Sequence, residues 1–288
     1  MKRIVLILAS ALSLIACNKS ETPVANGSLS AKATIDVRTK VDYSDKGAGN
    51  ELKVDWSNNE SFKAYYKESS EPLVFSKSET GNSFEAQNVP AGVSPKTQFK
   101  GLYGKNASLD SDGKITIDFT QQDGTLNGLS AFDVMTSDSE FKDNLLSFAF
   151  KHQCAVLRLE CVNNLPNEVN KVSLKFIDAK INDGFSETGI KKGDYLTLDF
   201  TLKAPVANEN SVQEKEKYRY AIVPAMSYSG TQSSTPATDT ANGVFDREIY
   251  LEKGRSIQAG KVYDVKVSAQ PSHNGLDNGK PIVTPQSN

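Results

Sequence analysis

An eighteen-residue run from Leu145 to Val162 leaves few folds open to this chain. It reads Leu-Leu-Ser-Phe-Ala-Phe-Lys-His-Gln-Cys-Ala-Val-Leu-Arg-Leu-Glu-Cys-Val and is the longest strand-like stretch after the N-terminus. Phe148 and Phe150 share one parity, while Ala155, Leu157 and Leu159 share the other. Such period-two alternation sends successive side chains to opposite faces and marks a half-buried strand. The apolar parity changes between Cys154 and Leu157, as at a bulge or in a strand covered on both faces. A strand of that length must pack against a large surface. It also separates two polar, turn-rich halves of similar size.

Short strand patterns recur on both sides of it. Ala33 to Val41 alternates weakly, with Ile35, Val37 and Thr39 on one side. Leu52 to Tyr66 reads as strand, tight polar turn and strand, hence a hairpin. Leu73 to Phe75, Ser83 to Ala86, Lys96 to Tyr103 and Ile115 to Phe119 follow, punctuated by Gly81-Asn82, Pro90-Ala91-Gly92 and Asp110 to Gly113. The last of these lacks the ligands of a calcium loop and reads as a solvated turn. Gln121 to Asp133 and Asp138 to Asp143 read as a polar connection between domains. The second half offers Val169 to Ile177, Asp194 to Leu202, Tyr218 to Val223, Arg247 to Leu251 and Ile257 to Val267. Met226 to Gly243 reads as a long Ser/Thr/Gly/Ala loop with nothing to bury. Many short strands at such spacing predict an all-β sandwich architecture.

The 288 residues suffice for one large or two ordinary domains. Lys and Arg total 33 against 35 Asp and Glu, so no basic footprint for nucleic acid appears. Two His, three Cys and one Trp are a thin inventory for catalysis or zinc. No nucleophile elbow, Walker loop or metal motif is present, so the chain reads as a non-enzyme without a cofactor. Cys154 and Cys161 sit about 23 Å apart in an extended strand, against the limit of about 7 Å for a disulfide. They read as two free, buried thiols.

Lys2 and Arg3, then the apolar run Ile4 to Leu14, form an export signal too short to span a bilayer. Leu14-Ile15-Ala16-Cys17 resembles a lipobox, which implies cleavage after residue 16 and a diacylglyceryl group on Cys17. Residues 17–30 then read as a flexible tether. Residues 31–143 and 144–269 are the expected domains, and 270–288, with three Pro, an expected disordered tail.

Several stretches resemble the fimbrillins, the type V pilins and pilin-like lipoproteins of Bacteroidales-type bacteria. Phe150-Lys151-His152, with the Val-Leu-Arg-Leu after it, resembles their Phe-Lys-His strand. The hairpin at Leu52 to Tyr66 resembles their Trp-x-x-Gly-Asp-x-Ile segment. Trp56 falls on the Trp, Asn59 stands for Gly, Glu60 for Asp and Phe62 for Ile. Gln121 to Asp133 resembles the passage before the Phe-Lys-His strand. Tyr220 to Pro224 resembles an apolar strand ending in Pro, and Ala259-Gly260-Lys261-Val262-Tyr263 the family's final strand. These matches run in family order from residue 52 to 267.

The resemblance implies two tandem transthyretin-like β-sandwich domains behind a lipoprotein signal peptide. It implies a fimbrial subunit at the outer membrane and cell surface, contributing to adhesion. Its partners would be other fimbrial subunits, joined by donor-strand exchange, and the membrane through the lipid. Processing after Arg38, the one Arg between Cys17 and Trp56, would free the first strand. Lys32, Lys40 and Lys46 are alternatives for a less strict protease, and an ordinary edge-strand charge is the other reading of Arg38. Pro281 and Pro285 leave the tail few donor pairings, around Ile282 and Val283. Asp239-Thr240-Ala241 resembles an O-glycosylation site of such bacteria, which would modify Thr240. The other function open at this point is a non-polymerising surface lipoprotein that binds glycans or host macromolecules through Tyr65, Tyr66, Tyr103, Tyr228 or Tyr250.

Overall fold

The computed structural model describes residues 27–35, 60–67, 69–78, 83–193, 195–208, 217–229, 243–249, 251, 254–269 and 284–285. Short alternating runs bounded by Gly, Asn and Asp give twenty-one strands and, among the described residues, no α-helix. The first nine are β1 (Leu29–Ile35), β2 (Ser61–Tyr65), β3 (Leu73–Lys77), β4 (Ser83–Ala86), β5 (Lys100–Tyr103), β6 (Ser108–Leu109), β7 (Ile115–Thr116), β8 (Met135–Lys142) and β9 (Leu145–His152). Next come β10 (Cys154–Asn163), β11 (Val169–Phe176), β12 (Ala179–Ile181), β13 (Phe185–Glu187), β14 (Lys191–Lys192) and β15 (Leu196–Val206). The last are β16 (Tyr218–Pro224), β17 (Met226–Tyr228), β18 (Phe245–Ile249), β19 (Ser256–Ile257), β20 (Val262–Ala269) and β21 (Thr284–Pro285). Two short 3-10 turns, Phe119–Gln121 and Asn127–Ala131, precede β8.

The first half closes on itself as a barrel in the order β1-β4-β3-β2-β5-β8-β9. Its neighbours are antiparallel except β1 and β9, whose parallel pairing completes the ring. The interior is a cluster of Phe rings. Phe62 stacks on Phe75 at 5.1 Å and meets Phe84, Phe148 and Phe150 at 5.2, 4.9 and 5.0 Å between centroids. Offset and edge contacts of this kind suit the ring quadrupole.

The long central run is two strands. β9 belongs to the barrel, and β10 is the centre of a second sheet. Gln153 stands between them, donating its N–H to Val134 O at 2.8 Å and accepting from Ala225 N at 3.1 Å. The parity change is therefore a break, followed by a strand buried on both faces from Cys154 to Leu159. The expected border at Asp143 and Asn144 is the tip of the β8–β9 hairpin inside the barrel. Both residues have positive φ, 53° and 61°, as a two-residue primed turn requires.

The second sheet has the order β14-β15-β11-β18-β20-β10-β16, with β21 against β20. Here β10 is parallel to β20 and β11 to β18, while β18 and β20 share one registered pair, Asp246 with Ser268. One core joins Leu157, Leu159, Leu174, Phe176, Leu198, Ile222, Phe245 and Val265. The segment expected as a bare polar connection instead supplies Leu129 and Phe132 to that core, and its second part, from Asp138, belongs to β8. The expected loop from Met226 begins as β17, with Met226 and Tyr228 buried. Leu29 and Ser30, expected at the end of a tether, belong to β1.

Candidate functional site

The barrel is closed by its most N-terminal strand. β1 reads Leu-Ser-Ala-Lys-Ala-Thr-Ile and alternates inward and outward, with Leu29, Ala31 and Ala33 buried and Lys32 exposed. It is antiparallel to β4 from Leu29–Ala86 to Lys32–Ser83, and parallel to β9 from Ala31–Leu146 to Ile35–Phe150. Two of its three buried side chains, Ala31 and Ala33, are small. Burying Leu29 contributes about 1.5–3 kcal/mol, and each Ala methyl adds about 0.8 kcal/mol. The large rings of the core come from β2, β3, β4 and β9. Main-chain ladders thus hold β1 more than side chains do. Its seat is a slot between two opposed backbones, floored by Phe148 and Phe150.

Cys17, Arg38 and Thr240 lie outside the described residues, as do Trp56 and Tyr250. In sequence, Arg38 follows the last residue of β1 by three positions. The tail meets the fold at β21, where Thr284 pairs with Asp264 and Pro285 with Tyr263 of β20. Four of the tyrosines named for sugar binding are described, and all four are buried or half-buried. Tyr103 and Tyr228 are buried, Tyr65 accepts from Leu109 N through its hydroxyl, and Tyr66 packs edge-on against Phe99 at 5.7 Å. Burial drives the hydroxyl pKa of both Tyr103 and Tyr228 upward.

Cys154 and Cys161 are free and buried. Burial raises both thiols, that of Cys161 to about 12, so neither is an activated nucleophile. His152 Nδ1 lies 2.9 Å from Asp133 Oδ1, both buried where the barrel meets the second sheet. The Asp110 to Gly113 segment is a turn, in which Asp110 Oδ1 accepts from Asp112 N and Lys114 N. No group of three or more His, Cys, Asp or Glu among the described residues is placed to hold a metal ion.

Two further features have no signal in the sequence. The outer edge of β16 is covered by residues 122–124. Gln122 Oε1 accepts from Ile222 N at 2.8 Å, Gln122 Nε2 donates to Ile222 O at 3.2 Å, and Gly124 O accepts from Tyr220 N at 2.9 Å. A side-chain amide thereby stands in for a neighbouring strand and blunts the edge. The second feature is a cleft of about 750 Å³ on the outer face of β11 and β15, lined by Gln122, Lys171, Lys175, Asp199 and Asp246 among others. Within it Asp199 accepts from Ser173 Oγ at 2.8 Å and from Lys191 Nζ at 2.7 Å.

No family model matches the chain, and no curated protein matches it. Among solved structures, it resembles a candidate cell adhesion protein of Bacteroides uniformis at 13% identity and a TM-score of 0.42, over 91% of this chain and 98% of that one. A candidate cell adhesion protein of Bacteroides ovatus resembles it at 14% identity and a TM-score of 0.41, over 91% and 96%. A fimbrial protein of Bacteroides ovatus resembles it at 9% identity and a TM-score of 0.31, over 84% of this chain and 50% of that one.

Proposed function

We propose that this chain is a structural subunit of a cell-surface fimbria. It is exported as a lipoprotein anchored through Cys17, trimmed after Arg38, and assembled by strand addition between subunits. In this reading its halves are divergent transthyretin-like modules, and its role is adhesive and architectural rather than catalytic. The observation that carries it is β1, the first described strand, which closes the barrel with Leu29 and two inward Ala residues and leaves the Phe core to other strands. A seat of that kind suits an exchanged strand, because backbone hydrogen bonds supply the affinity and alternate pockets the register. The resemblance of residues 52 to 267 to the fimbrillins adds support. The glycan-binding alternative has less, since Tyr103 and Tyr228 are buried and Tyr65 and Tyr66 are half-buried.

Mild digestion with an Arg-specific protease tests the proposal, followed by N-terminal sequencing and size-exclusion chromatography. The expected result is a new terminus at Thr39 together with high-mass oligomers. Resistance at Arg38, or cleavage that leaves a stable monomer, overturns it in favour of the non-polymerising surface lipoprotein.

A further inference from the structure

Lys175, Asp246 and Glu248 share one face of the parallel pair β11–β18. Lys175 is registered with Glu248, and Ser173, two residues earlier, with Asp246. Side chains paired across a ladder lie on the same face, so Lys175 is opposite one carboxyl and diagonal to the other. Its Nζ is 3.9 Å from Asp246 Oδ2, with the two side chains 24% and 11% exposed. That is a poor ion pair but close to reacting distance. Asp246 Oδ1 and Glu248 Oε2 are both buried without a hydrogen-bond partner. Unpaired polar atoms of this kind are costly to bury.

We propose that Lys175 and Asp246 condense to an amide that cross-links β11 and β18, with Glu248 carrying the protons. Glu248 takes a proton from the Lys175 ammonium, and the freed lone pair attacks Cγ of the protonated Asp246 carboxyl. The C–N bond forms as a C–O bond breaks. Glu248 gives its proton to the departing hydroxyl and takes the second proton from the amine nitrogen, so the products are the amide, one water molecule and a neutral Glu248. No oxidant, reductant or co-reactant is needed. Burial raises the pKa of both Asp246 and Glu248, which favours the neutral acid at the first and proton uptake at the second. Holding amine and carboxyl together substitutes effective molarity for activation of the acid. The product removes a half-buried charge pair and gives the unpaired oxygen of Asp246 the character of an amide carbonyl.

The cross-link does not depend on the fimbrial reading, and mass decides it. The full chain is purified, its intact mass measured, and its tryptic peptides mapped. The expected wild-type mass is lower by one water than that calculated for the same purified chain without the bond, with a branched peptide joining Lys175 to Asp246 and no cleavage after Lys175. Lys175→Arg and Glu248→Gln should restore the full mass, with circular dichroism showing that each remains folded. A full-mass wild type overturns the proposal whether or not the variants fold. So does a branch at Glu248 in place of Asp246, or a water loss that persists in Lys175→Arg.

Discussion

Gly101→Ala should loosen the barrel by a wedge between rings. Gly101 lies in β5, opposite Ala64 of β2 and Ser137 of β8. A Cβ at this position would stand 2.9 Å from Phe148 Cδ1 and 3.0 Å from Phe150 Cζ. Those rings cannot retreat freely, because Phe62 sits 4.9 and 5.0 Å from their centroids and Phe75 is 5.8 Å from Phe148. Overpacking of a close-packed core costs about 1–3 kcal/mol. Replacing Gly by Ala recovers about 0.4–1 kcal/mol through the unfolded chain. Taking the middle of each range, the wedge wins by about 1.3 kcal/mol. For domains near this size, 1 kcal/mol moves Tm by about 2–4 °C, so the barrel transition should fall by roughly 3–5 °C. Thermal unfolding followed by near-ultraviolet circular dichroism reads the shift. Phe148→Leu removes the nearest ring edge, and the double variant should lie above the sum of the two losses by about 0.5–3 kcal/mol. A Gly101→Ala chain at or above the wild-type Tm, or strict additivity with Phe148→Leu, refutes the packing argument.

Gln122→Ala removes the amide that serves both Ile222 N and Ile222 O, leaving buried main-chain groups unpaired. It should cost about 1–3 kcal/mol in urea unfolding, and a loss under half that would show water replacing it. Burial raises Cys161 from 9.0 to about 12, which leaves roughly a thousandfold fewer thiolates than an ordinary Cys. Both thiols should resist a disulfide reagent in the native chain and react fully in denaturant; rapid native labelling would contradict the burial. Burial pushes the Asp199 carboxyl up, but hydrogen bonds from Lys191 and Ser173 outweigh it and hold the pKa below the usual 3.8. A depressed folded value adds stability above the unfolded pKa and loses it as pH falls through the folded one. Asp199→Asn should thus destabilise the chain at neutral pH and approach wild type below the carboxylate range. An equal loss at both pH values would point to packing alone.

Much of the fold is legible because its strands carry their own contrast. β3, β4, β11 and β20 alternate buried and less buried residues in their own sequence. β8 does not. Met-Thr-Ser-Asp-Ser-Glu-Phe-Lys offers a hydrophobic run no purchase, and the strand exists because β5 and β9 pair along its two edges. The Asp143-Asn144 tip resembles a linker by composition, whereas its positive φ values are what a tight hairpin needs. Neither Gln122 nor Lys175 is distinguishable from other polar residues until the partner strands arrive. The same holds for β1, whose two Ala residues give little hydrophobic contrast although they point into the core.

The direction of the ladder at the β1 seat constrains what can replace that strand. β4 and β9 run in opposite directions, since β1 is antiparallel to the first and parallel to the second. Any occupant therefore pairs parallel with one of them. β1 makes its parallel ladder with β9, which has eight residues, and its antiparallel one with β4, which has four. Parallel pairing is slightly less stable per residue. A strand entering in the reverse direction places the better ladder along the longer neighbour. The alternate positions of β1 read Leu29, Ala31, Ala33 and Ile35, so its reversed sequence keeps an aliphatic residue at each end and Ala between. In a chain that begins at Thr39, the peptide Ile-Thr-Ala-Lys-Ala-Ser-Leu should therefore bind more tightly than Leu-Ser-Ala-Lys-Ala-Thr-Ile. Fluorescence anisotropy of the two labelled peptides makes the comparison. Tighter binding of the native-direction peptide would mean that side-chain fit at Leu29, and not ladder direction, governs the seat.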